Sequence, residues 1–162
     1  MTAYAVGALL EAQRANLRVD VYRLQKGVAA TAKLYAKYPR AVPELKAYMT
    51  YTLTQAIAQN VKPDSGDEGT AFDAKAAVDE LWSRRASLGP YSKAILLLTL
   101  NVTKDTRGEM LARDLAGAAQ TRGDLSWWTS ENDPLLDDWE DTSVEATAMA
   151  VKASFMFGLL MK

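Results

Sequence analysis

Along this chain, segments that are apolar nearly all round alternate with segments that are apolar on one side, and both follow helical spacing. A first helix is predicted from Thr2 to about Asn16, with Val6, Leu9, Leu10 and Leu17 in register. Asp20 offers an N-cap for a second helix reaching Lys37. Its apolar stripe is Leu24, Val28, Tyr35 and Tyr38, while Arg23, Lys26, Lys33 and Lys37 lie away from it, so one face meets solvent. Tyr38-Pro39-Arg40-Ala41-Val42-Pro43 stops that helix, and Pro43 suits the first position of the third. There Leu45, Tyr48, Met49, Leu53, Ala56 and Ile57 make a stripe wide enough for burial on more than one side.

The turn-rich run Val61 to Gly69 separates this helix from a fourth, Ala71 to Ala86, with Val78, Leu81 and Trp82 inward and Lys75, Asp79 and Arg85 outward. Gly89-Pro90 opens the fifth, whose centre Ala94 to Leu100 is apolar all round. That run alone also fits a buried strand, but the helical pattern on either side selects helix. Thr106-x-x-Glu109 has the form of a capping box for a sixth helix ending near Arg122-Gly123. A loop carrying Trp127, Trp128 and Trp139 follows. Six of its eleven residues from Glu131 to Asp141 are acidic, and Pro134 rules out regular helix there. Thr142-x-x-Glu145, a second capping box, begins a seventh helix, and Val144 to Met161 is so apolar that burial over most of its circumference is expected.

Aligning the odd-numbered helices reveals a repeat. Thr2-Ala3-Tyr4, Lys46-Ala47-Tyr48 and Gly89-Pro90-Tyr91 place a tyrosine at the same helix start, 44 and then 43 residues apart. Helix pairs of about this period build solenoids and toroids. Broadly apolar odd helices and amphipathic even ones predict an inner row wrapped by an outer row. The fold class is therefore all-α: about seven helices in helix-pair repeats, forming part of an α/α toroid, with residues 1–162 as a single domain. A flat solenoid of paired helices fits the same pattern.

Composition narrows the chemistry. With 19 basic and 20 acidic residues and no basic tail, a nucleic-acid partner is not expected. Lys152 and Ser154 interrupt the longest apolar stretch, so no membrane insertion is expected, and no targeting signal is visible at Met1. The chain has neither cysteine nor histidine, which excludes disulfides, thiolate nucleophiles, Ser-His-Asp triads and the usual zinc sites within it.

Trp127-Trp128, Trp139 and then Asp141-Thr142-Ser143-Val144-Glu145-Ala146-Thr147-Ala148-Met149-Ala150 resemble the thioester domain of α2-macroglobulins and complement proteins in its bacterial form. Met1 to Val6 and Tyr38 to Pro43 are similar to that domain too, whereas Phe155-Met156-Phe157-Gly158 departs from its usual Leu/Ala-rich continuation. The resemblance implies a broad-spectrum endopeptidase inhibitor at the cell envelope, periplasmic or secreted, with proteases as partners of the parent protein. It also implies a complement-like ring of about six helix pairs and an internal Cys–Gln thioester that captures nucleophiles. No cysteine is present, so no thioester residue falls on this sequence; the implied motif lies before Met1, or the parent lacks it. On this reading the chain is a scaffold fragment and not an enzyme. An open arc leaves apolar flanks, so self-association is expected.

Other candidates are weaker. Asp137-Asp138-x-x-Asp141 fits the carboxylate pattern that holds magnesium diphosphate in isoprenoid synthases, some of which are α/α toroids. This supplies the alternative of a terpene cyclase or prenyltransferase-like enzyme, but the motif sits in a loop after Pro134, with no companion metal motif. A third reading is a helical-repeat module that binds a protein partner. The tryptophans read as packing anchors rather than a binding platform. Glu145 reads as a capping carboxylate rather than a catalytic one, and Asn101-Val102-Thr103 as a coincidental glycosylation sequon. No catalytic, cofactor or metal residue is assigned.

Overall fold

The fold is set by helix ends that the sequence encodes one by one. The computed structural model describes residues 2–63, 71–129 and 143–157. Among them seven α-helices form: α1 Thr2–Arg14, α2 Val21–Lys37, α3 Pro43–Ala58, α4 Ala74–Ser83, α5 Pro90–Thr103, α6 Gly108–Gly117 and α7 Ser143–Met156. Asp20 caps α2 by accepting from the Arg23 N–H at 3.1 Å, and Asp73 caps α4 through Ala76 at 3.0 Å. Pro43 and Pro90 stand at the first positions of α3 and α5, where a missing N–H costs nothing.

Three helix C-termini share one device. Asn16, Asn60 and Lys104 adopt the left-handed conformation, with φ of 59°, 57° and 55°. In each case the next N–H turns back to a carbonyl five residues earlier: Leu17 to Ala12, Val61 to Ala56 and Asp105 to Leu100, all at 2.9 Å. Each left-handed residue also donates to the carbonyl three residues before it. This is a Schellman motif, and it closes α1, α3 and α5. The repeat that the tyrosines announce at the start of these helices is thus matched at their ends.

Packing follows the alternation. α1 packs on α3, α3 on α5 and α5 on α7, while α2 bridges α1 and α3, α4 bridges α3 and α5, and α6 bridges α5 and α7. The odd helices form an inner row and the even helices an outer row. The core is centred on α5, where Ala94 to Leu98 and Leu100 are at most 2 % exposed. A second cluster of Val6, Leu10, Leu24, Val28, Leu53 and Ala56 lies between α1, α2 and α3. Lys46, buried in α3, spans the rows: its ammonium sits 3.8 Å from the centre of the Tyr35 ring and 3.9 Å from Glu80.

Several expectations need correction. α6 stops at Gly117, and Gln120–Arg122 and Leu125–Trp127 form an antiparallel hairpin, β1 and β2, with Arg122 paired to Leu125. Gly123, at φ 61°, supplies the positive φ that this two-residue turn demands. The Thr106 capping box does not form. α6 begins two residues later without a side-chain cap, after Asp105 accepts from the Arg107 backbone and grips its guanidinium. α4 is shorter than expected and is followed by a 3-10 turn, Arg85–Ser87. Ile57, Tyr38 and Leu17, placed in apolar stripes, are exposed. So are Val144, Val151 and Phe155 of α7, which is covered on only part of its circumference. The acidic run with Pro134, Trp139 and the Asp137-Asp138-x-x-Asp141 motif lies outside the described residues, as do Thr142 and most of the Val61 to Gly69 turn.

Candidate functional site

The inner helices all point the same way, and their side chains meet in two layers. At the helix starts, Tyr4 of α1, Tyr48 of α3, Tyr91 of α5 and Glu145 of α7 converge. The Tyr4 and Tyr48 rings stack 3.8 Å apart at 3°. The Tyr4 and Tyr91 hydroxyls lie 2.5 Å apart, and Tyr4 donates to Glu145 Oε1 at 3.5 Å. Since Tyr4 has one proton to give, Tyr91 must donate to it, and the chain runs Tyr91 to Tyr4 to the carboxylate. Gly7 makes room for this cluster, because a Cβ there would stand 2.9 Å from the Tyr48 hydroxyl.

Seven residues further along each helix comes the second layer. Tyr4, Tyr48, Tyr91 and Glu145 are followed by Glu11, Gln55, Leu98 and Lys152. Seven residues are two turns, about 10.5 Å of rise. Lys152 of α7 reaches Glu11 of α1 at 2.9 Å, and Gln55 Nε2 donates to the same oxygen at 3.1 Å. Tyr51 adds a third bond to Glu11 at 3.3 Å. α1 and α7, the two ends of the inner row, are therefore tied to each other by side chains at both levels, Tyr4 with Glu145 and Glu11 with Lys152.

The electrostatics of the layers differ. Burial raises the pKa of Tyr4, Tyr48, Tyr51 and Tyr91, and the carboxylates Glu145 and Glu11 beside them push in the same direction. These phenols stay protonated at neutral pH and act as hydrogen-bond donors, not as bases. Burial alone would raise Glu11, but the hydrogen bonds from Lys152 and Gln55 outweigh it and hold the carboxyl below its ordinary range.

Against the second layer opens a cleft of about 230 Å³, lined by Arg14, Tyr51, Gln55, Gln59, Asn101 and Lys152 over Leu98, Val102, Ala58 and Met156. Six of its ten lining residues are polar or charged. Its signal in the sequence, a polar residue seven positions after Tyr4, Tyr48 and their α7 equivalent Glu145 but apolar Leu98 after Tyr91, emerges only once the helices are known to run parallel.

The residues singled out in the sequence scatter. Trp128 is buried, donating from its indole to Leu115 O at 2.7 Å and from its backbone to Thr147 Oγ1 at 3.0 Å, so it anchors the hairpin on α6 and α7. Trp127 is only half-buried on β2. Glu145 belongs to the tyrosine layer. Asn101 to Thr103 lies within the last turn of α5, where the Thr103 hydroxyl is bound to Thr99 and Leu100 carbonyls. Among the described residues no group of His, Cys, Asp or Glu is arranged to hold a metal, and no helix is long and apolar enough to cross a membrane. No family model, no curated protein and no solved structure matches the chain.

Proposed function

We propose that the chain is a non-catalytic scaffold segment of α/α-toroid type, of the kind that forms the thioester domain of bacterial α2-macroglobulin-like protease inhibitors. The observation that supports it is the tandem inner–outer unit, with Tyr4, Tyr48 and Tyr91 at its starts and Asn16, Asn60 and Lys104 at its ends. Repeating one helix pair about an axis is how a toroid is built, and parallel inner helices whose side chains meet across that axis fit the beginning of one. Trp128 and Thr147, both in the stretch that carries the family resemblance, hold each other, which fits a motif under structural constraint. On this reading the chain presents surface to a protein target at the cell envelope, and a thioester, where there is one, is supplied by residues outside these 162.

The test uses the natural polypeptide that carries this sequence, weighed intact before and after methylamine, with protease trapping measured alongside. One methylamine adduct together with a new free thiol supports covalent capture. Trapping without an adduct leaves an inhibitor that lacks the thioester. Neither adduct nor trapping removes the inhibitor reading. The polar cleft on the inner face then favours the second reading, a helical-repeat module that binds a ligand or partner there.

A further inference from the structure

We propose that the inner-face cleft at the second layer is a binding site for a carboxylate carrying a short apolar side chain. An N-acylated amino acid and the last residue of a peptide both have that chemistry. This inference stands apart from the inhibitor reading, because it rests only on the cleft's own residues.

Charge comes first. Arg14 and Lys152 line the cleft, while Glu11, the carboxylate that both contact, at 3.5 and 2.9 Å, is not part of its lining. Two cations against one anion leave the cleft with a net positive charge facing the opening. Both cations keep solvent access, with side chains 51 % and 38 % exposed, so an entering anion can reach them. The C-terminal turns of the inner helices converge here, and their dipoles oppose an anion. The Schellman caps of α1, α3 and α5 turn the last carbonyls back onto backbone N–H groups, so the cleft presents mainly side chains.

Shape gives the second element. Gln55 is 3 % exposed, its amide nitrogen is fixed between Glu11 and Tyr51, and its Oε1 is shut off from solvent, so the two cations and not the amide meet the ligand. Leu98, Val102 and Met156 form an apolar floor for a side chain, and about 230 Å³ suits one residue rather than a long segment.

The experiment is a calorimetric titration of the full chain at low salt with N-acetyl-leucine, and with N-acetyl-leucinamide as the neutral control. The acid is expected to bind at least about tenfold more tightly than the amide, the factor an added charge-assisted hydrogen bond confers. Lys152→Met should weaken the acid at least about fivefold, and Lys152→Arg should restore it. Glu11→Gln, which removes the competing carboxylate, should tighten binding, a gain that misfolding cannot produce. Equal affinity for acid and amide, no heat up to about 10 mM ligand, or indifference to Lys152→Met each overturns the site. A peptide ending Ala-Leu with a free C-terminus distinguishes the sources: tighter binding than N-acetyl-leucine supports a protein terminus as occupant, and weaker binding supports a small molecule.

Discussion

Helices α5 and α7 read almost alike in sequence yet sit in different surroundings. Both belong to the inner row and both are apolar around most of their circumference. α5 has α3 on one side, α7 on the other and α4 and α6 behind it, so its run from Tyr91 to Leu100 is buried apart from half-buried Lys93. α7 has α5 on one side, α6 and Trp128 behind it, and the two side-chain bridges to α1 in front. Its fourth side, the stripe Val144, Ala148, Val151 and Phe155, is bare. Apolar content states that a helix is meant to be covered; it does not state by what. For α7 the cover is absent from the described residues, and a second copy of the chain is one way to provide it.

The largest expected effect separates the two helices directly. Leu97→Ala in α5 deletes methyl groups from a site with no exposure and no freedom to collapse, and should cost about 2–5 kcal/mol. Val151→Ala in α7 removes atoms already 42 % exposed and should cost less than about 0.5 kcal/mol. Urea unfolding with a common slope measures both. Similar losses would mean that the bare stripe is covered in solution, and a concentration-dependent midpoint would identify a second copy as the cover.

The tyrosine layer gives the next effect. Tyr91 on α5 and Tyr4 on α1 have pKa values raised above the ordinary 10.0, by burial before any other cause. Below pH 10 both folded and unfolded chains keep these protons, and the stabilisation is fully present. Above it the unfolded chain releases them and the folded one does not, so stability falls as pH rises. The slope is at most about 1.4 kcal/mol per pH unit for each of the two. Thermal melts should therefore hold level from pH 7 to about 9.5 and drop beyond, and Tyr91→Phe should make that drop shallower. An unchanged slope in Tyr91→Phe would place Tyr91 outside the buried network.

The covered back of α7 tests its hold on the outer row. A Cβ on Gly108, at the start of α6, would lie 2.4 Å from the Phe157 ring, so Gly108→Ala forces the ring aside. The expected cost is about 1–3 kcal/mol, and Phe157→Leu should relieve most of it when the two changes are combined. Additive losses would show that α6 and α7 do not press on each other there.

Which parts of this were legible in the sequence follows from what each signal depends on. Asp20, Pro43 and Pro90 act within one turn of backbone, and their helices begin where the sequence places them. The tyrosine repeat reported equivalent helix starts, because equivalent positions in a repeated packing unit need the same side chain. Thr106 misled because a capping box competes with other local hydrogen bonds, and here Asp105 with Arg107 takes that role. The hairpin at Gly123 was absorbed into α6 because its strands are only three residues each, too short for alternation to register. The second polar layer was invisible for another reason. Glu11, Gln55 and Lys152 look like solvated polar residues on three separate helices, and only the parallel inner row brings them together.

The front of α7 carries the smallest expected effect. Lys152 and Glu11 join the two ends of the inner row, but their side chains are 38 % and 32 % exposed, and water screens much of the attraction. Lys152→Met should therefore cost less than about 1 kcal/mol near pH 7, and less still at high salt. Because the folded-state pKa of Glu11 is lowered, its contribution is present above the unfolded value near 4.5 and is lost as the pH falls through the folded one. The difference between native protein and Lys152→Met should shrink as the pH is taken below 4.5. A loss several times larger, persisting at 1 M salt, would mean that the bridge does more than tie two surface charges: α1 and α7 would depend on it to stay in one arc, and the bare stripe on α7 would be the side on which that arc opens.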